Sequence, residues 1–282
     1  MSTEIERILD EPRRLSIHSV FDSAVNLRAG HRLVTCTTRV VSVPNGIEMT
    51  RSDLAGLQRL RFTTPRDVLE WSPVDRVLSS RTGAMVIASK PDTVVFETAL
   101  PAASGDDLHG PARGLLAHLA RTRARTGLGC DWSALTNDVA LTSAVESLAA
   151  GRVDEAVIHW LGRGPGLTPS GDDVLAGMIT ALQFVGAVDP SRIGPLRESI
   201  AAAAGRLTTD LSAEYLHYAC RGMASGMVRD LLIALDQSDT IAMQDALDRL
   251  SRHGDTSGMD CALGVVVALR QAETRSPPGG CR

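Results

Sequence analysis

Hydrophobic and polar positions along this chain change rhythm once, near Pro101. From Leu15 to Met49 the pattern is that of strands. Val20-Phe21, Val25-Asn26-Leu27, Leu33 to Thr38 and Val40 to Val43 are rich in β-branched residues, with turns at Ala29-Gly30 and Pro44-Asn45-Gly46. Asn45-Gly46 reads as a hairpin turn, because both positions tolerate positive φ. Residues 1–14 are polar and read as a loose lead-in, whereas 53–82 give short helical or irregular pieces around Pro65 and Pro73. Two further strands are expected over 84–89 and 93–98. From His109 onward alanine and leucine recur at three- and four-residue spacing. That predicts helices over 109–126, 131–149, 152–161, 171–187, 190–204, 208–222, 225–236, 239–251 and 259–273. The expected fold is α+β: a small, mainly antiparallel β domain over 1–100, then a larger all-helical domain over 101–275. A disordered tail is expected over 276–282.

Composition narrows the function classes. Apolar residues at 44% and charged residues at 22% are those of a globular protein with a core to bury. A net charge of −4, aromatics at 3% and no basic cluster argue against nucleic acid as a partner. Five scattered cysteines, odd in number and without a Cys-x-x-Cys pair, suit neither a disulfide framework nor a zinc site. The N-terminal residues carry no apolar core, and no apolar run is long enough to span a bilayer. A cytoplasmic protein without a membrane partner is expected.

The chemistry concentrates between Leu161 and Gly177. Gly164-Pro165-Gly166-Leu167-Thr168-Pro169-Ser170-Gly171-Asp172-Asp173 opens an apolar helix. Glycine and proline there specify backbone shape and let a ligand approach main-chain amides. Ser170-Gly171-Asp172-Asp173-Val174-Leu175-Ala176-Gly177 is echoed by Ser257-Gly258-Met259-Asp260-Cys261-Ala262-Leu263-Gly264. Both read Ser-Gly-x-Asp-x-x-x-Gly at the entrance of a helix. A third Ser-Gly-Asp-Asp, at 104–107, leads into polar residues and is set aside as coincidence. Helix capping explains a Ser and an acid at such an entrance. It does not explain Gly164-Pro165-Gly166 or the second carboxylate at Asp172.

A helix start with small residues suits an anion, yet Asp172 and Asp173 would repel one. Three arrangements reconcile the two. Mg²⁺ held by Asp172 and Asp173 could bridge to a phosphorylated ligand. Alternatively, the carboxylates accept from a ligand amide while backbone amides hold its negative end. In the third, one Asp caps and the other meets the ligand. Carboxylates acting as general base also fit. His159, His253 and Asp255 flank the motifs and read by default as ordinary surface groups. Thr208, Thr209 and Ser212 read as a further helix start or a third ligand-facing loop, and Arg113, Arg121, Arg123 and Arg125 as a solvated helix face.

The Gly164–Asp173 string resembles the signature of a bacterial family whose named member is a subunit of oxamate carbamoyltransferase. His18-Ser19-Val20-Phe21, Asn26-Leu27, Thr208-Thr209, Ser212 and Thr256-Ser257-Gly258-x-Asp260 extend the resemblance. It implies a heteromeric enzyme transferring a carbamoyl group between carbamoyl phosphate and oxamate, with oxalurate and phosphate as the other pair. The resemblance assigns no roles, and the chemistry of the residues themselves makes Asp172 and Asp173 the catalytic candidates. Gly164, Gly166, Thr168, Ser170, Gly171, Ser257, Gly258 and Asp260 are the substrate-binding candidates. Other enzyme subunits or further copies of the chain are the expected macromolecular partners. The alternatives are a non-catalytic ligand-binding or scaffold subunit, and two motifs that serve only as caps.

Overall fold

The computed structural model describes residues 1–38, 42–63, 68–75, 77–80, 85–88, 94–104 and 108–273. The chain divides into two compact units, Met1–Thr98 and Ala99–Arg282. An N-terminal, mostly antiparallel sheet is followed by a helical region, so the class is α+β. No described helix is long and apolar enough to cross a membrane. Cys36, Cys130, Cys220 and Cys261 are all free thiols.

The first unit runs α1 (Thr3–Ile8), β1 (Arg13–Val20), β2 (Ala24–Ala29), β3 (Arg32–Thr37), β4 (Gly46–Glu48), α2 (Arg51–Thr63), β5 (Val68–Ser72), β6 (Val77–Ser80) and β7 (Met85–Ala88). Its single sheet has the order β4-β3-β2-β1-β5-β6-β7. Leu15, Val25, Leu27, Val34 and Leu69 of the sheet pack with Leu54 and Leu57 of α2.

Four expectations for this unit need correction, the first being 53–82, which holds most of the 13-residue α2 and the antiparallel strands β5 and β6 in place of short helical or irregular pieces. The lead-in is structured: the Ser2 hydroxyl accepts from the Ile5 N–H at 3.1 Å to start α1, and burial of Met1, Ile5 and Leu9 holds that helix on the core. Asn45-Gly46 is not a hairpin turn, because β4 runs parallel to β3. The buried Asn45 side-chain amide donates to Leu33 O at 3.2 Å and Thr35 Oγ1 at 3.1 Å, which pins the loop to β3 and sends the chain back alongside it. The strand expected over 93–98 is reduced to an isolated parallel bridge between Phe96 and Ser2, since the N-terminal residues take its backbone partners. Val40-Val41, residues 105–107 of the third Ser-Gly-Asp-Asp, and the tail at 276–282 lie outside the described residues.

The second unit runs α3 (His109–Thr122), α4 (Trp132–Thr136), α5 (Val139–Ala149), α6 (Glu155–Ile158), α7 (Ser170–Phe184), α8 (Pro190–Leu207), α9 (Asp210–Ala219), α10 (Gly226–Asp236), α11 (Thr240–Ser251) and α12 (Ser257–Glu273). The helix expected over 131–149 is two, because Asp138 accepts from the Leu141 N–H at 3.0 Å and begins a new one. At the centre α7 and α12 pack together more extensively than any other two elements. Val174, Leu175, Met178, Val265 and Val266 are fully buried there. The small residues of the repeated motif allow this. A methyl group on Gly177 would stand 2.1 Å from Cys261 O, and one on Gly264 2.0 Å from Val174 O. Each glycine therefore rests on the other helix's backbone.

Candidate functional site

The paired crossing brings the two motifs together. Gly177 meets Cys261 while Gly264 meets Val174, and these are corresponding positions of the two repeats with the helices exchanged. The same exchange recurs at the helix starts. Ser257 lies beside Asp173, and Ser170 lies beside Asp260. The α7 and α12 starts thus lie side by side, both helices running the same way, related by an approximate local two-fold axis. A turn between α3 and α4 closes one flank. Gly127 N–H donates to Asp260 Oδ1 at 2.8 Å, and a methyl group on Gly127 would overlap the Ser170 hydroxyl.

The acidic residues are buried to different ends. Asp172 is 2% exposed and its two oxygens are engaged, one by the Gly162 N–H at 2.8 Å and the other by the Thr208 hydroxyl. It ties the entry of the Gly-rich loop to the α8–α9 junction. Thr209 reinforces that tie by donating to Leu167 O at 2.5 Å, and Gly162, at φ +71°, lies against Leu207 O. Asp173 and Asp260 are 7% and 0% exposed. The hydroxyls of Ser257 and Thr168 sit beside Asp173, and those of Thr256 and Ser170 beside Asp260. Even so, Asp173 Oδ2 and Asp260 Oδ2 are shut from water with no donor in hydrogen-bonding geometry. A buried acceptor without a donor is costly.

Burial, followed by the charges of Asp260 and Asp172, pushes the Asp173 carboxyl well above the ordinary range, against the opposing pull of the Ser257 and Thr168 hydroxyls. Burial likewise raises Asp260, opposed by Thr256, Gly127 and Ser170. Asp172 is raised by burial too, opposed by its bonds to Gly162, Thr208 and Ser212. Protonation at Asp173 or Asp260 would remove much of the repulsion that the sequence alone sets against an anion.

The Gly-rich loop that leads into α7 is exposed. Gly164, Gly166 and Leu167 are exposed, with positive φ at both glycines, and their N–H groups have no partner among the described residues. Thr168 is half-buried between loop and helix. By contrast the first-turn amides of α7 are occupied: Gly171 N–H donates to Arg163 O at 2.9 Å, and those of Asp172 and Asp173 donate to Pro169 O. The free donors thus belong to the loop. Gly171 and Gly258 serve packing, since methyl groups there would stand 2.1 Å from Trp160 O and 2.0 Å from Leu250 O.

The pair Asp172–Asp173 does not fit a bound Mg²⁺. Protein donors already hold both oxygens of Asp172, and among the described residues no group of three His, Cys, Asp or Glu is placed to hold a metal ion. His159 is exposed beside Arg163, whose guanidinium hydrogen-bonds it and lies 4.7 Å from the Trp160 ring centroid. Asp255 is exposed, and His253 accepts from Gly258 N–H through its carbonyl. Arg113, Arg121, Arg123 and Arg125 are exposed as expected. Sequence reasoning missed two neighbours of the site. Gly127 reads only as a helix break. Tyr215, half-buried on α9, has its hydroxyl raised by burial and by the charges of Asp173 and Glu214. Its only sequence signal is its place one turn beyond Ser212, itself beside Asp172.

The helical unit is therefore one built round two glycine-crossed helices whose matching starts share a buried acidic pair. Residues 160–269 match the family described as oxamate carbamoyltransferase subunit AllH. That stretch holds both helix starts, the Gly-rich loop and the α8–α9 junction. No solved structure matches the chain.

Proposed function

We propose that the protein is a carbamoyltransferase subunit that holds small ligands bearing an amide and an anionic group at the joined starts of α7 and α12. The observation that carries this is the pair Asp173 and Asp260: each is buried, each lies beside the other motif's serine, and each keeps one oxygen without a donor. The family match supports a carbamoyltransferase role in kind. Oxamate and carbamoyl phosphate are the substrates to test first.

The loop amides of Gly164, Gly166 and Leu167, with the hydroxyl of Thr168, receive the phosphate or carboxylate. Asp173 and Asp260 accept from the amide. In transfer the oxamate nitrogen bonds to the carbamoyl carbon, and the carbon–oxygen bond to phosphate breaks with its electron pair leaving on phosphate. The nitrogen gives up one proton, which Asp173 takes as its carboxylate. A buried carboxylate with a raised proton affinity suits that task better than an exposed one. Asp172 positions the loop instead of touching substrate, because its oxygens are engaged by Gly162 and Thr208.

The test is phosphate release from carbamoyl phosphate with oxamate, using the full chain alone and together with the products of neighbouring genes. Release that requires oxamate and is lost in Asp173→Asn supports the reading. Silence in both preparations contradicts it. Ligand binding without turnover in any preparation would instead favour a non-catalytic binding subunit.

A further inference from the structure

The site is doubled, and so is the chemistry that the proposed reaction asks it to hold. Oxamate and carbamoyl phosphate share one outline: a primary amide joined to an acidic head. The chain supplies the complement of an amide twice. Asp173 stands on one helix start with Ser257 of the other beside it, and Asp260 stands on the second with Ser170 of the first beside it. Each carboxyl is more than nine-tenths buried and has an Oδ2 with no protein donor. A buried oxygen lacking a donor is matched by an N–H that a ligand brings with it.

We infer that the crossed helix starts form two amide-recognising half-sites, one centred on Asp173 and one on Asp260, so that two amide-bearing anions are held together across the local two-fold axis. The halves are alike at their floors and different at their fronts. The exposed N–H groups of Gly164, Gly166 and Leu167 serve the first, and Gly127 N–H braces Asp260 in the second. The similar floors let one ligand, oxamate, enter both halves when nothing competes. This inference rests on the carbamoyl-transfer reading for its choice of ligand.

Calorimetric titration of the full chain with oxamate tests it, with oxalate and acetamide as probes that keep only the acid or only the amide. Two equivalents of oxamate are expected, with each probe weaker by about tenfold, the loss of one charge-assisted hydrogen bond. Asp173→Asn and Asp260→Asn should each retain a single equivalent. Should either variant fail to fold, Ser257→Ala and Ser170→Ala replace them, each expected to weaken one binding event and spare the other. One equivalent in the parent chain, abolished by either aspartate substitution, would overturn the doubling and leave carbamoyl transfer standing. Two equivalents with no phosphate release would support the doubling and overturn the transfer. Absence of oxamate binding would overturn the doubling.

Discussion

The helical unit begins its helices in two ways. At α9 the Thr209 hydroxyl accepts from the Ser212 N–H at 3.1 Å, and at α10 the Ser225 hydroxyl accepts from the Val228 N–H at 3.4 Å. At α11 the Asp239 carboxylate accepts from Ile241 and Ala242. These side chains satisfy the first turn of their own helix. The α7 start does not. Its N-cap is Pro169, no side chain caps it, and its serine and two aspartates turn to other segments. Asp172 serves Gly162 and Thr208, while Ser170 lies beside Asp260 and Ser257 beside Asp173. An acid in a helix's first turn therefore has two physical uses, and only its partners tell which one a chain has adopted.

The largest expected effect follows from that contrast. Asp173→Asn should lower phosphate release by on the order of a hundredfold or more, as for loss of a general base, with no loss of melting temperature. If Asp173 were a cap, the reverse would be seen: intact activity and lost stability. Next in size, Gly264→Ala and Gly177→Ala should each destabilise the chain by about 1–3 kcal/mol in urea unfolding, because the added methyl meets main-chain atoms of the partner helix. Asp172→Ala should cost about 1–3 kcal/mol by leaving Gly162 N–H and the Thr208 hydroxyl unmatched. It should also raise KM through a loosened loop. Smallest, Ser225→Ala removes an ordinary cap and should cost about 1 kcal/mol while ligand binding stays unchanged. A matching loss at Asp173→Asn would erase the distinction between the two kinds of start.

pH sharpens the same comparison. The folded chain holds the Asp173 proton more tightly than the unfolded chain does. Its contribution to stability is therefore fully present below the ordinary aspartate range and is lost as pH rises through the raised folded value. Asp173→Asn cannot lose a proton. Its stability relative to the parent should climb as pH increases from about 4, measured by urea midpoints across the range. A constant difference would place Asp173 in an environment no different from water.

Much of this was legible in the residues. The change of rhythm near Pro101, the helices after it and the doubled Ser-Gly-x-Asp-x-x-x-Gly are all local patterns, and local patterns survive folding. The roles within the motif were not legible. Asp172 and Asp173 are neighbours in sequence, but successive helix positions point about 100° apart. One therefore meets Gly162 and Thr208, and the other meets α12. Thr208 was visible as a hydroxyl at a helix break, yet its bond to Asp172 spans a whole helix. Gly127 and Tyr215 enter the site from elements whose own periodicity says nothing about it. The parallel β3–β4 pairing was hidden for the same reason: Asn45-Gly46 obeys turn rules, while the buried bonds of the Asn45 side chain decide what the turn connects.

Asp173 and Asp260 are both buried, and the charge of Asp260 bears on Asp173. A double-mutant cycle of Asp173→Asn, Asp260→Asn and the pair, read as unfolding free energies near neutral pH, measures that directly. Neutralising either residue should relieve the other, so the double variant should differ from the sum of the singles by more than about 0.5 kcal/mol. Additivity within about 0.3 kcal/mol would mean that the two carboxyls do not sense each other, and the joined site would not exist.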